Sequence, residues 1–203
     1  MEHGFGKYDV YSVCGSLYCY RDTSVLKNRF HLQDAGKLKK LEADLSAIRQ
    51  ADLVLHPING RFTANHLCRI HRYLLGDIYY FAGHFRREDI RKGSTLFLTH
   101  QQISDHLQAI LQKLEREPWD DFPEQDFFAK SAYYFAELNY IHPFREGNGR
   151  AIREFMRLFF LKNGYSTDWG AVAPQEFLAA TEASVYDASV LEPILAACLR
   201  KNM

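Results

Sequence analysis

The stretch His142-Pro-Phe-Arg-Glu-Gly-Asn-Gly-Arg-Ala-Ile-Arg153 decides how the rest of the chain is read. Before it, Glu124 to Tyr140 has the spacing of an aromatic helix with Phe128, Ala132, Phe135 and Leu138 inward. After it, a helix is predicted from about Asn148 to Asn163, with Ile152, Phe155, Met156, Phe159 and Phe160 on one stripe and Gly164 as its left-handed terminator. The quoted residues are therefore a loop, Ile141 to Gly147, closing onto a helix start. Gly147 and Gly149, flanking Asn148, let backbone N–H groups converge with no Cβ in the way, and the positive end of the helix dipole stands behind them. Arg150 and Arg153 are three apart and are expected to lean over the same anion. This is a cradle for a polyphosphate.

Two neighbours turn the cradle into a reaction centre. Glu146 precedes the glycines, where one carboxylate and the oxygens of a phosphate substrate suffice to hold Mg²⁺. His142, stiffened by Pro143 and anchored if Phe144 is buried, supplies a base that titrates near neutral pH. Singly, each has an ordinary explanation as a cap, a solvated carboxylate or a turn. Together, within 12 residues, they suit attack of a hydroxyl on a phosphate.

Outward from this centre the chain reads as helical. Leu38, Leu41, Leu45, Ile48 and Leu55 form one stripe from Gly36 to Pro57, with Glu42 placed elsewhere. Thr63 is the expected N-cap of a helix bearing Leu67, Ile70, Leu74 and Ile78. Ile103, Leu107, Leu111 and Leu114 mark another, and two more are expected near 174–186 and 190–201. The pattern breaks over 85–99, where two extended arms around Lys92-Gly93-Ser94 read as a hairpin. Residues 1–35 begin without period and form an irregular arm, and 36–203 form one helical domain carrying the hairpin.

Composition narrows the partners. The 203 residues carry 25 Lys+Arg and 25 Asp+Glu, so no cationic excess argues for nucleic acid or an anionic membrane surface. No apolar run reaches a membrane-spanning length, and the N-terminus lacks the pattern of a signal peptide, so a cytoplasmic protein is expected. Four cysteines without paired zinc spacing read as reduced thiols, with Cys14 and Cys19 the one pair worth a redox test. His66 and His71, five apart, miss the helical metal spacing and read as surface or capping residues. Arg86, Arg87, Arg91 and Lys92 form a basic cluster, read equally as edge protection for a strand or as an attractor of anions.

His142 to Arg153 resembles the signature of the Fic family, H-P-F-x-[D/E]-G-N-G-R-x-x-R, at every fixed position. Tyr18 to Asn28 is similar to the N-terminal hallmark of bacterial members, and Ile90 to Phe97 to the family's flap, K-G-x-T-x-F. The resemblance implies an all-α Fic fold with a β-hairpin flap, and transfer of AMP from ATP to a Tyr, Thr or Ser hydroxyl of a target protein with release of pyrophosphate. His142 would take the proton, and Glu146 would bind Mg²⁺. Gly147, Asn148 and Gly149 would form the anion hole, with Arg150 and Arg153 at the β/γ end. Lys92, Gly93, Ser94 and Thr95 would cover the nucleotide and register a target segment, and Asn139 would either support the nucleotide or act as a buried cap.

Two alternatives stay open: a kinase-like relative of the Doc type, which carries lysine where this chain has Gly149, and a non-catalytic nucleotide sensor, which would have lost the His or an Arg. Members are commonly silenced by a helix carrying [S/T]-x-x-x-E-[G/N], yet none of the 12 glutamates here has Ser or Thr four positions earlier. Either the enzyme is unrestrained or a separate partner restrains it, and because unrestrained AMP transfer would be toxic, the resemblance favours the toxin half of a toxin–antitoxin pair. A small helical antitoxin would supply the inhibitory Glu to Arg153 in trans.

Overall fold

The computed structural model describes residues 15–93 and 95–202. Seven helices run through the described residues: α1 (Ala35–Leu55), α2 (Ala64–Leu75), α3 (Ile103–Arg116), α4 (Glu124–Ile141), α5 (Asn148–Lys162), α6 (Pro174–Ala183) and α7 (Glu192–Cys198). Two small antiparallel pairs complete the architecture. β1 (Arg91–Lys92) meets β2 (Thr95–Leu96) with Arg91 opposite Leu96 and Lys92 opposite Thr95. β3 (Tyr165–Thr167) meets β4 (Leu199–Lys201) with Tyr165 opposite Lys201. No described helix is long and apolar enough to cross a membrane.

α5 is the central helix because its stripe is the most apolar and aromatic. Ile152, Phe155, Met156, Phe159 and Phe160 are all buried, and α5 packs on α2, α4 and β3. Trp119 wedges edge-on against Phe122, Phe127 and Phe159 and donates its indole N–H to the Leu114 carbonyl at 2.7 Å. α2 begins where expected, with the Thr63 hydroxyl accepting the His66 N–H, and buries Leu67, Ile70 and Leu74. Asp34 caps α1 through the Lys37 N–H at 2.8 Å. The described part of the N-terminal arm has no helix, but Cys19, Val25 and Leu26 join the main core. Cys19, Cys68 and Cys198 are free thiols, and Cys14 lies outside the described residues.

Several expectations give way to tertiary contacts. On α1, Ile48 is 64% exposed and Leu55 75%, while the buried face is Leu38, Glu42, Ser46 and Leu53. A carboxylate sits on that face because a guanidinium of α5 meets it there. On α4, Phe127 takes the buried position expected of Phe128, which is half-buried. The last helix stops at Cys198, because Leu199–Lys201 pair as a strand with the residues that follow Gly164. The hairpin is shorter than its 85–99 pattern: only two residues pair on each side, and Gly93 turns with φ of 56°. His66 and His71 are neither surface nor capping residues. Both rings are buried, with His66 Nε2 against the Ile58 carbonyl at 2.6 Å.

Phe155 has no exposed surface and meets Phe62 edge-on and His66 at a tilt. Phe155→Ala is expected to destabilise the fold by about 3–5 kcal/mol, the usual range for an emptied aromatic site. Urea unfolding checks this, and a loss below about 1 kcal/mol would show that α5 is not the packing centre.

Candidate active site

The junction of α4 and α5 leaves a run of carbonyls that water cannot reach, so each needs an internal donor. The chain provides them one by one. The Leu138 carbonyl accepts the His142 N–H at 3.1 Å, and the Tyr140 carbonyl accepts the Leu98 N–H at 3.2 Å. The Arg86 guanidinium donates to the carbonyls of Ile141 at 3.3 Å and His142 at 2.9 Å, and the Arg86 N–H to that of Pro143 at 2.9 Å. The buried Asn148 side chain closes the loop, accepting the Phe144 N–H and donating to the Phe144 carbonyl, both at 2.8 Å. His71 donates from Nε2 to the Glu146 carbonyl at 2.8 Å.

His142 ends α4 in the left-handed region, φ 45° and ψ 62°, which turns its ring off the helix. Its Nδ1 lies 3.0 Å from the Asn139 carbonyl and must donate to it, so the lone pair of the neutral ring is on Nε2. Phe97, just past β2, stacks on the imidazole at 3.8 Å between centroids. That arrangement orients a base. Asn139 contributes its carbonyl to this, while its amide donates to the Thr181 carbonyl of α6 at 2.8 Å. Its side chain is therefore a tie between helices, the cap-like of the two readings.

The glycines divide their work. Gly147 has φ of 79°, and a Cβ there would overlap Leu75, so the fold itself demands glycine. At Gly149 a Cβ would meet only Arg153 Nη1 at an ordinary 3.5 Å. Nothing among the described residues needs that position bare. The N-cap of α5 is Gly147, which has no side chain to cap with, and the Asn148 oxygen is committed to the Phe144 N–H. The Gly147 N–H is held by Glu146 Oε1 at 2.8 Å.

The two arginines part company. Arg150 turns to α1, where it meets Glu42 at 2.5 Å and the Ser46 hydroxyl at 3.0 Å, with Glu146 at 3.4 Å. Tyr79 donates its hydroxyl to the other oxygen of Glu42. Arg153 instead lies over the Phe177 ring at 5.6 Å, so the two guanidinium groups face different partners. Burial, then the neighbouring Arg150, push the Arg153 pKa down to about 10, so it stays cationic at neutral pH.

The flap stands beside this centre. Lys92 reaches Glu182 of α6 at 3.2 Å, Thr95 pairs with Lys92, Gly93 makes the turn, and Ser94 lies outside the described residues. Among the described residues no group of three or more His, Cys, Asp or Glu could hold a metal alone. Glu146 fits a hard cation that takes its remaining oxygens from a phosphate substrate.

Sequence reasoning missed the residues that brace the loop. His71 accepts the Gly83 N–H on Nδ1 at 2.8 Å, which fixes the proton on Nε2, and stacks on Phe144 at 3.7 Å. Burial pushes its pKa to about 3, so it serves as a neutral strut. Arg145 meets Glu88 at 3.0 Å, and Glu88 also accepts the Ser16 hydroxyl and the Leu17 N–H, which ties the arm to the loop. Arg86, expected on a charged strand, is buried. The histidine and arginine identities were visible, but partners 56 to 75 positions away were not.

Comparison with known proteins agrees with this geometry. Residues 61–160 match the model of the Fic/DOC family. Protein adenylyltransferase VbhT of Bartonella schoenbuchensis is 36% identical over 187 residues, 92% of this chain and 38% of its own length, so the chain spans well under half of that relative. The "Probable protein adenylyltransferase Fic" of Salmonella typhimurium is 33% identical over 87% of this chain and 88% of its own. A crystal structure of the N-terminal Fic domain of a VirB-translocated Bep effector from Bartonella quintana, with bound ADP, superposes with a TM-score of 0.82 at 25% identity, covering 91% of this chain and 95% of that one. The chain belongs to the Fic/DOC family.

Proposed function

We propose that the chain is a protein adenylyltransferase, moving the AMP of ATP to a Tyr, Thr or Ser hydroxyl of a target protein. The observation that carries this reading is one loop holding an imidazole oriented by Asn139, next to a helix start whose N-cap is a glycine. Relatives at 33% and 36% identity bear that name, the Salmonella one as probable, and the Bartonella quintana domain holds ADP. His142 Nε2 takes the proton of the target hydroxyl as its oxygen bonds to the α-phosphorus. The bond from that phosphorus to the bridging oxygen breaks, and pyrophosphate leaves. The first-turn N–H groups at Asn148 and Gly149 and the Arg153 cation hold the phosphate charge. Mg²⁺ bound through Glu146 would supply charge neutralisation on the phosphates. The target segment lies along the flap, pairing as an added strand beside Lys92, Gly93, Ser94 and Thr95.

Phosphate transfer by a reversed nucleotide is the competing chemistry, and a glycine at 149 rather than a lysine favours AMP. Restraint comes from a small helical antitoxin that brings a glutamate to Arg153. The activity belongs in the cytoplasm, where ATP and reduced thiols coexist.

Incubating the chain with ATP and a lysate, then reading modified peptides by mass spectrometry, tests the reaction. The AMP increment is expected; a phosphate increment, or none, rejects it. His142→Ala should lower transfer about 10²–10⁴-fold, the usual contribution of a general base, with ATP affinity retained. Glu146→Gln should slow transfer and weaken its dependence on Mg²⁺, and full activity in EDTA would remove the metal from the mechanism. Gly149→Ala should melt no lower than wild type, since alanine is favoured over glycine in helices by about 1 kcal/mol. Its affinity for ATP should fall; an unchanged value by calorimetry would show that phosphate does not approach this backbone.

A further inference from the structure

Arg86 is a buried guanidinium 56 positions before the base, outside every motif, and its fork spans two parts of the active site. Nε donates to the His142 carbonyl at 2.9 Å. One terminal nitrogen donates to the Ile141 carbonyl at 3.3 Å and also to the Leu98 carbonyl. The other donates to the Glu88 carbonyl at 2.9 Å and lies 3.7 Å from the Asp89 carboxylate. Ile141 and His142 end α4, whereas Leu98 leaves the flap two residues after β2 and Glu88 lies before it. Backbone bonds reinforce the same join, from Arg86 N–H to Pro143 and from Leu98 N–H to Tyr140.

The charge is matched to its place. Asp89 is well exposed and beyond hydrogen-bond reach, and two of the carbonyls that accept from the guanidinium lie at the negative end of α4. A guanidinium presents five donors in one rigid plane, and four backbone carbonyls accept from this one. A lysine has three donors on a single atom and cannot bridge the same span.

We propose that Arg86 is the positioning residue that couples the flap to the catalytic base. One planar fork fixes the left-handed backbone of His142 and the exit of the flap at Leu98 in a single register. A hydroxyl presented along the flap therefore arrives at a set distance from Nε2. The proposal rests on the reading of His142 as base, and goes beyond it by naming what sets the distance between base and target.

Arg86→Lys keeps the charge, and Arg86→Met keeps much of the packing. Both are compared with the full wild-type chain by amide hydrogen exchange, ADP calorimetry and AMP-transfer kinetics. The expected result for Arg86→Lys is faster exchange in residues 91–98 and 141–149 together, with α2 and α3 unchanged and ADP affinity retained. Its kcat should drop about 10²-fold, the loss typical of a 1 Å misplacement. Unchanged exchange in either segment overturns the proposal, as does exchange that rises throughout the chain or failure of the lysine variant to fold. Should Arg86→Met fail to fold, the lysine variant decides. If wild type transfers no AMP, the reading of the reaction falls, and the paired exchange response still decides whether Arg86 joins the two segments.

Discussion

The carbonyls at the end of α4 must be satisfied inside the protein, and the way they are satisfied shapes the whole site. A helix leaves its last carbonyls without partners, and here they point into the core instead of into water. His142 covers two of them, one with its own N–H and one with its ring, which is what turns the imidazole and selects its tautomer. Leu98 and Arg86 cover the next, which brings the flap segment against the base. The chemistry of an oriented base and the placement of the flap thus follow from one requirement of backbone hydrogen bonding.

The other half of the site is a helix start. α5 begins with a glycine in the left-handed region, and the asparagine that follows spends its side chain on the loop behind it. Its first turn keeps the electrostatic character of a helix N-terminus, ready for an anion. His71 supports this from below as a neutral strut, pinned by Gly83 and flattened on Phe144. A charged ring there would have placed a third cation beside Arg150 and Arg153, and burial prevents it.

α1 acts as a buttress. Its buried Glu42 and Ser46 draw Arg150 away from the loop's open side, and Tyr79 secures the carboxylate. Arg150 in turn touches Glu146 at 3.4 Å, so a helix more than 100 positions upstream bears on the orientation of the candidate metal carboxylate. The two motif arginines consequently hold different posts despite lying on one helix, three residues apart.

Local rules were enough for the helical framework and for the reactive loop. The Thr63 cap, the aromatic stripe of α5, Gly164 as its terminator and the grouping of His142, Glu146 and the glycines depend on neighbours within a few turns. Periodicity and spacing report such neighbours directly. What they could not report was the polar face of α1, because Glu42 is buried against Tyr79 and an arginine 108 positions away. The same limit hid Arg86, which reads as a surface charge until α4 ends beside it, and the strand at Leu199–Lys201, which exists only once Tyr165–Thr167 is alongside. A buried charge or a three-residue strand paired with a distant segment has no local signature, since its stability comes wholly from partners that the folded chain brings near.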